Sequence, residues 1–394
     1  MNVASLKLLT RRAPVIVAGL VVVTVLAFLG VNRLVNRFRE QEKALARHLY
    51  EHGMQAQSAG QPERAVESFR AALGYAHDNF DYQLSLARAL RDTGRTAESE
   101  TYLIGLWERS PQEGAVNLAL GRLFAREQLF DKAIQYYHNA IYGLWPGDPE
   151  TKRRDTEFEL TGFLLQHKAY PQAQAELITM AAALPDDPGL RLRVAQLFAQ
   201  SQDYEHALAQ FQQVLRSDHE SKAALYGAGQ AALYGAGQAA FQLGRYRTAQ
   251  GYLRNAVRGD PQNAQAAQSL KIASLVLQAD PFAPRISDAE RNKRVRAAFQ
   301  AAGDRLDNCA KSKQIDLTPR SPSGGLPALK AQWLEMAPKL ARLRPPRDGA
   351  DLDEAMDLVF EIEQQTQAAC GTPDDLDQAL LLLLLTQDRS GVER

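Results

Sequence analysis

Six times along the chain, a small residue is followed four positions later by an aromatic or leucine and three positions after that by another small or apolar residue. These spacings place the three side chains on one face of a helix. The first residues of successive triplets lie 34, 34, 40, 34 and 42 positions apart, and the recurring step of 34 predicts stacked helix-turn-helix units. The triplets are Ala65-Phe69-Ala72, Ser99-Leu103-Leu106, Ala133-Tyr137-Ala140, Ala173-Leu177-Met180, Ala207-Phe211-Val214 and Ala249-Leu253-Ala256.

The residues before each triplet follow a shared plan as well. A small residue stands midway along the preceding helix, as at Ala87, Gly121 and Ala195, and a glycine follows at the turn, as at Gly94. Small residues let the two helices of a unit approach closely, and the aromatic or leucine fills the space beside them. Together these features resemble the tetratricopeptide repeat over about residues 45 to 262.

The resemblance implies an all-α solenoid of about six repeats at residues 45–280, with a capping helix at about 264–278. It also implies a protein-interaction scaffold that captures peptide or helical segments, rather than an enzyme with a cofactor or a small-molecule substrate. Two turns depart from the pattern, with Gln128 and Lys168 where glycine is expected, and Thr161 replaces the small residue of a first helix.

The two longer steps have visible causes. The 40-residue step contains residues 142–150, whose prolines and glycines predict a loop between units. The 42-residue step contains a verbatim duplication of eight residues, at 223–230 and 231–238. Because the second copy runs into the turn at Gly244, we expect it to occupy the normal helix position, and the first copy to overhang or loop out.

An apolar segment at residues 13–32 contains no charged residue and is long enough to span a bilayer as a helix. It follows a short basic segment, residues 1–12, and precedes a juxtamembrane segment, residues 33–44. We predict an uncleaved single-pass anchor in an inner membrane of bacterial type. A cleaved signal peptide and a buried soluble helix are the alternatives, although a signal peptide usually has a shorter apolar region and a small-residue cleavage site.

Charge around this segment favours repeats on the cytoplasmic side. Three basic residues precede the segment, whereas Arg33, Arg37, Arg39, Lys43 and Arg47 follow it. The positive-inside rule then leans toward cytoplasmic repeats, but large domains cross membranes largely regardless of charge. Orientation therefore depends on other evidence.

A helical region at residues 285–394 follows the repeats. Ser287 and Glu290 form a capping box that predicts a helix to about residue 312, and residues 315–327 predict a linker. Six consecutive leucines at 380–385 predict a helix that needs cover, as a core helix or a partner-binding helix. Further helices are predicted at about 328–343, 351–369 and 374–387.

The chain has two cysteines, Cys309 and Cys370, each near the end of a predicted helix. A disulfide between them would close a loop of about 61 residues, stabilise the fold by about 4 kcal/mol, and indicate an oxidising compartment. Two independent buried thiols are the alternative. We give the disulfide more weight than the charge bias and expect the repeats on the extracytoplasmic, periplasmic side.

One short motif suggests catalysis. His48, Glu51 and His52 match the H-x-x-E-H pattern of some zinc proteases, in which two histidines one helical turn apart hold the metal. A catalytic zinc site needs a third protein ligand and an open cleft, and neither is evident in a short repeat helix. We therefore expect no catalytic residue and no metal, with a zinc enzyme as a remote alternative.

The first helices of the units are the better place for function, because they line the binding surface in the family that the chain resembles. Four arginines from adjacent units predict a patch for an acidic or C-terminal peptide, with ordinary solvated surface as the alternative. The predicted surface residues are Tyr50, Arg88, Arg91, Arg122, Arg126, Gln196, Tyr234 and Gln238.

Composition supports protein partners over nucleic acid. The 394-residue chain has 46 basic and 46 acidic residues, whereas nucleic-acid binders carry a basic excess. We therefore expect a membrane-anchored scaffold for protein or peptide partners on the extracytoplasmic side. The alternative is the same scaffold facing the cytoplasm, where it would organise an enzyme or an assembly machine of envelope biogenesis.

Overall fold

The computed structural model describes residues 3–216, 222–318, 324–342, 349–371 and 373–392, with the side chains of 3–17, 222–228, 342, 349 and 387–392 left out. These described residues form seventeen α-helices and one isolated bridge between Glu113 and Leu144, so the predicted all-α class is confirmed. They divide into two compact units, unit 1 ending at Phe163 and unit 2 beginning at Leu164.

Unit 1 alternates first and second helices of the predicted repeats. Its first helix, α1, runs without a break from the apolar segment into the first repeat and is 56 residues long. The helices that begin in unit 1 are α1 Val3–Ser58, α2 Pro62–Tyr75, α3 Phe80–Asp92, α4 Thr96–Arg109, α5 Gly114–Arg126, α6 Phe130–Ile141 and α7 Pro149–Gln166.

Unit 2 continues the alternation and adds the C-terminal helices. Its helices are α8 Tyr170–Ala183, α9 Pro188–Gln200, α10 Tyr204–Arg216, α11 Lys222–Gln242, α12 Tyr246–Gly259, α13 Ala264–Ala279, α14 Asp288–Lys313, α15 Gly325–Arg342, α16 Gly349–Cys370 and α17 Asp375–Val392.

All six predicted triplets lie on second helices, and every one of their eighteen side chains is at most 3% exposed. Their neighbours are the predicted small residues of the first helices. A Cβ added to Gly53 would lie 2.5 Å from the Phe69 ring, and one added to Gly237 would lie 2.7 Å from Leu253. The small residue and the large side chain sixteen positions later therefore set the spacing between the paired helices, as the sequence predicts.

The six repeat turns share one backbone conformation, although only three contain glycine. Gly60, Gly94 and Gly244 have positive φ, and so do Gln128 (φ 60°), Lys168 (φ 56°) and Gln202 (φ 64°). In each turn the next residue donates its backbone N–H to a carbonyl five positions back, at 2.8–2.9 Å. This is the Schellman arrangement that ends many helices. It forms even where a side chain must adopt the left-handed region, which costs about 1–2 kcal/mol.

The duplicated segment lengthens one helix without displacing the repeat. Within α11, a Cβ added to Gly235 would meet the Phe211 ring at 2.3 Å, and Gly237 lies against Leu253. The second copy therefore occupies the normal position, as expected. Residues 223–230, the first copy, continue the helix toward its N-terminus rather than looping out.

The loop inserted before α7 packs against its own unit. The Trp145 indole N–H donates to the Ala140 carbonyl at 2.8 Å, and the indole covers Gly114. Leu144 exchanges backbone hydrogen bonds with Gln112 and Gly114 at 2.7 and 2.8 Å. The insertion is therefore an ordered loop.

The C-terminal helices share one hydrophobic core with the last repeat helices. Ile272 and Val276 of α13 pack with Phe299 of α14, Val359 of α16 and Leu380 of α17. Ser287 caps α14 by accepting the Glu290 N–H at 3.2 Å, as the capping box predicts. The helix α15 begins at Gly325, so it includes the last residues of the predicted linker. The division into 45–280 and 285–394 stays a sequence prediction, since packing continues across it.

The leucine run lies on a helix that buries only one of its faces in the core. Leu380 and Leu383 are buried, whereas Leu385 is 55% exposed. Four of the six leucines line a groove of about 390 Å³ together with glutamines of α16 and α17. The core-helix interpretation therefore holds for the face toward α13.

We expect Gly53→Ala to lower the free energy of unfolding by about 1–2 kcal/mol, because the new methyl group would overlap the buried Phe69 ring. Gly105→Ala is the matched control, since nothing lies within 4 Å of a Cβ at this helical position. There the higher helix propensity of alanine should raise stability by about 1 kcal/mol. Urea unfolding followed by circular dichroism measures both changes. Equal effects at the two glycines would contradict the packing role of Gly53.

Candidate partner-binding surface

The predicted surface residues of unit 1 lie on first helices and reach toward the next first helix. Tyr50 of α1 stacks on Tyr82 of α3 with ring centroids 4.5 Å apart, and its hydroxyl lies 3.2 Å from the Ser85 hydroxyl. Arg88 of α3 donates a long hydrogen bond, 3.5 Å, to the Ala115 carbonyl of α5. The structure thus brings these side chains onto one surface formed by α1, α3 and α5.

Arg88 is half-buried and lacks a carboxylate partner among the described residues. Its Nε atom is buried without a hydrogen bond. Burial lowers the pKa of Arg88, and the positive charges of Arg122 and Arg91 lower it further. A guanidinium remains protonated despite such a shift. The environment therefore raises the energy of a fixed positive charge, which Tyr50 and Asp81 offset only in part.

Arg122, by contrast, is neutralised within the chain. Its Nε and Nη2 atoms donate to both oxygens of Glu159 at 2.7 and 2.6 Å, and the Tyr137 hydroxyl donates to the same carboxylate at 2.8 Å. The hydrogen bonds that Arg122 donates to Glu159 raise the pKa of Arg122. Burial alone would raise the pKa of Glu159, but the hydrogen bonds and charge of Arg122, together with the Tyr137 hydrogen bond, outweigh burial and lower that pKa. Arg122 therefore forms a structural ion pair with Glu159.

The other two arginines differ in their availability. Arg91 forms a hydrogen-bonded ion pair with Asp92 at 2.7 Å, although its Nη1 atom is buried without a partner. Arg126 lies at the end of α5 with an exposed side chain. In the arginine patch, Arg122 is fully paired and Arg91 is partly paired, whereas Arg88 and Arg126 have no hydrogen-bonded carboxylate among the described residues.

The unit 2 residues show the same use of first helices. Tyr234 and Gln238 of α11 bond to Gln265 and Ser269 of α13, at 3.0 and 2.8 Å. Both pairs are one helical turn apart, so they fasten the two helices side by side. Gln196 of α9 is exposed. Tyr234 and Gln238 therefore hold neighbouring repeats together as well as contributing to the surface.

The H-x-x-E-H histidines are exposed on α1. The His52 Nδ1 atom lies 3.1 Å from the Ser68 hydroxyl. Within the part of the chain that the structure describes, no three side chains of metal-binding type gather around His48 and His52. The zinc alternative thus has no supporting geometry in that part.

Cys309 of α14 and Cys370 of α16 lie beside each other. Their Cα atoms are 5.7 Å apart and their sulfurs are at bonding distance, 1.98 Å. A Cα separation of this size suits a disulfide. The pair joins two helices that pack in the same core.

A buried carboxylate lies seven residues before Cys370 on α16, about two helical turns away, and was missed by sequence reasoning. Glu363 of α16 is 1% exposed, and neither of its oxygens has a hydrogen-bond partner. Burial, together with the nearby carboxylates of Asp377 and Asp374 and against the opposing charge of Arg305, raises the pKa of Glu363 to about 8. Glu363 occupies a core-facing position of a helix with many apolar residues, which is the signal that could have identified it.

The N-terminal part of α1 is exposed throughout the region whose side chains are described. It is long and apolar enough to cross a membrane, and a signal sequence meets the same criterion. Its apolar side chains pack against nothing in the described residues.

Comparison with known proteins supports the repeat assignment. Two tetratricopeptide repeat models match, one at residues 56–123 and the other at 192–233 and 234–270. A search of curated proteins gave no match.

Solved structures of tetratricopeptide type resemble the fold at low identity. PilF from Pseudomonas aeruginosa is 16% identical over 58% of this chain and 97% of its own, with a TM-score of 0.38. PilW, described as a type IV pilus biogenesis factor, is 14% identical over 57% of this chain and 98% of its own, with a TM-score of 0.38. YrrB, described as having an unusual peptide-binding site, is 16% identical over 52% and 99%, with a TM-score of 0.38.

The buried carboxylate predicts a pH-dependent stability. Between about pH 4.5 and 8 the folded chain keeps the proton on Glu363, whereas the unfolded chain has lost it, so stability should fall as pH rises through this window. Glu363→Gln should remove this slope and stabilise the chain by on the order of 2 kcal/mol at pH 8.5, with a smaller gain at pH 5. Exposed Glu361, on the same helix, provides the control variant Glu361→Gln. Urea unfolding at both pH values measures the free energy of unfolding of each variant. An equal gain in stability for Glu363→Gln at pH 5 and 8.5 would exclude a protonated Glu363.

Proposed function

Because the chain carries tetratricopeptide repeats, we propose that it is a non-enzymatic scaffold that captures acidic segments of protein partners on the first helices of unit 1. The tetratricopeptide fold suggests protein–protein interaction. The observation that carries the finer proposal is Arg88, a half-buried arginine with two arginine neighbours and no carboxylate hydrogen-bonded to it among the described residues.

A carboxylate from a partner would remove this electrostatic penalty. It would accept hydrogen bonds from the Arg88 guanidinium beside the positive charge of Arg91, and charge-assisted bonds of this kind are stronger than neutral ones. Arg126 adds a third positive charge at the exposed edge. Arg122 would act through its pair with Glu159, which holds α5 beside α7 and keeps the surface in place.

Extended or helical peptides suit such a surface better than small molecules. Tyr50 and Tyr82 form a flat aromatic platform next to Ser85, and hydrogen-bonding groups recur on successive first helices. A preformed surface of this kind binds without a large ordering cost in the scaffold. Positively charged residues at intervals would favour partners with spaced acidic side chains.

We further propose that residues 13–32 anchor the chain in an inner membrane and that the repeats face the extracytoplasmic side. The length and composition of the apolar helix support an anchor. The adjacent Cys309 and Cys370 support an oxidising compartment, because disulfides persist there. The second candidate is the same scaffold facing the cytoplasm, which the basic residues after the apolar segment favour.

Arg88→Gln should weaken binding of an acidic probe peptide by roughly ten-fold or more, since one charge-assisted hydrogen bond contributes about 1.5–3 kcal/mol. The probe is a fluorescent ten-residue peptide rich in glutamate, and a glutamine-rich peptide of equal length measures the background. Arg64→Gln is the matched control, because Arg64 lies on a second helix and bonds only to Gln61. Fluorescence anisotropy at two salt concentrations gives the affinities. Equal losses for the two variants would contradict a specific site at Arg88.

For the compartment, we expect a linked Cys309–Cys370 peptide in cells that are acid-quenched, alkylated and analysed by non-reducing mass spectrometry. An oxidising compartment keeps the disulfide intact, whereas a reducing cytoplasm keeps both thiols free. Two alkylated cysteines would assign the repeats to the cytoplasm and replace the extracytoplasmic proposal with its alternative. The peptide-binding result does not depend on this outcome.

A further inference from the structure

The part of α1 that runs from the end of the apolar segment into the first repeat carries an apolar stripe that no described residue covers. Val31, Leu34, Phe38 and Leu45 are between 43% and 69% exposed. Residues 33–44 also contain six charged side chains, so this part of the helix is not simply a continuation of the apolar segment. Large apolar side chains aligned on one face of a polar helix indicate an interaction surface.

The stripe follows a heptad repeat. Val31, Phe38 and Leu45 are seven residues apart and fit the a positions, while Leu34 and Gln41 fit the d positions. The remaining charged residues fall on the outer positions b, c and f, which face solvent in a coiled coil. These outer residues are Arg33, Arg39, Glu40, Lys43 and Arg47.

Two charged residues flank the stripe on opposite sides. Arg37 takes a g position and Glu42 takes the e position of the next heptad. In a parallel two-stranded coiled coil, a g residue lies beside the e residue of the next heptad on the partner helix. Neither side chain has an ion-pair partner among the described residues, whereas the nearby Lys43 and Glu40 pair with each other at 3.1 Å on the outer face. Two copies would therefore form Arg37–Glu42 pairs on both sides of the stripe.

We propose that this stripe is a dimer interface, at which the α1 helices of two copies of this chain form a short parallel coiled coil. The stripe spans about 21 Å from Val31 to Leu45, at 1.5 Å per residue. Two heptads alone make a marginal coiled coil in water. The proposal rests on the proposed anchor, which orients both helices alike and raises their local concentration.

Distance from the apolar segment favours a second copy over lipid as the cover. Leu45 lies thirteen residues beyond Asn32, which is about 20 Å along the unbroken helix. The polar headgroup layer is only about 5–8 Å thick on each side of the bilayer. Val31 and Leu34 would lie within the apolar and headgroup layers and Phe38 near their outer edge, but Leu45 would extend well beyond them.

The face toward the second copy is compatible with the first repeat. The α1 residues that pack on α2 are Ala46, Gly53 and Ala56, which are buried. Leu45, the last residue of the stripe, stays exposed and lies about 100° around the helix from Ala46, while Gly53 and Ala56 lie about 12 and 17 Å further along α1. The same helix can therefore hold α2 and a second α1 at once.

Cysteine cross-linking of the full chain in lipid nanodiscs or vesicles tests the interface. Gln41→Cys places a thiol at a d position, where the two helices meet, and Lys43→Cys places one at an f position, where they are farthest apart. We expect roughly five-fold more covalent dimer from Gln41→Cys than from Lys43→Cys after mild oxidation, since disulfides need Cβ atoms within about 4.5 Å. The parent chain measures any contribution from Cys309 and Cys370. Equal cross-linking at both positions would overturn the proposal, because it would indicate random collision.

A charge exchange tests the register. In the Gln41→Cys background, Arg37→Glu should reduce the covalent dimer by placing like charges together, and adding Glu42→Arg should restore it. Failure of the double exchange to restore cross-linking would contradict the parallel register. Vesicle flotation separates the two proposals: a chain that does not float refutes the anchor and the dimer together, whereas a floating chain that cross-links equally at 41 and 43 refutes the dimer alone.

Discussion

The contact between a small residue on one helix and a large side chain sixteen positions later holds each repeat together. At Gly53 and Gly237, the backbone approaches so closely that even a methyl group would overlap Phe69 or Leu253. Such contact leaves no freedom to slide one helix past the other, because interiors are close-packed. The direction in which each first helix faces follows from this contact, and so does the surface that carries Tyr50 and Arg88.

This constraint explains why the repeats could be predicted from the sequence and the turns only in part. Small and large residues recur at fixed spacing because packing demands both, and their period therefore appears in the chain. A turn needs only a left-handed residue, and glycine merely makes that conformation cheap. At Gln128, Lys168 and Gln202 the packed helices and the Schellman hydrogen bond impose the left-handed backbone conformation on residues other than glycine. Local sequence thus understates how regular the six turns are.

The location of the candidate site could be predicted, but its electrostatics could not. First-helix position follows from the period, so Arg88 and Arg122 were placed together from spacing. Their different states depend on residues from other repeats, since Glu159 reaches Arg122 from a helix that begins after an insertion. The raised pKa of Glu363 likewise depends on three helices meeting around one carboxylate. The balance of charge between helices of different repeats is a tertiary property, and the spacing of residues in the sequence does not reveal it.

The unbroken helix α1 gives the N-terminal region a mechanical role. A loop at residues 33–44 would let the first repeat reorient freely about the apolar segment. A continuous helix instead fixes the azimuth of the α2-packing face relative to the stripe, because successive residues turn by about 100°. A partner held at Arg88, as proposed, would be attached to α1 through the packing of α2 and α3, so its position would depend on the same helix. Any interaction that orients α1 therefore also orients the proposed binding surface of unit 1, and no further contact is needed to do so.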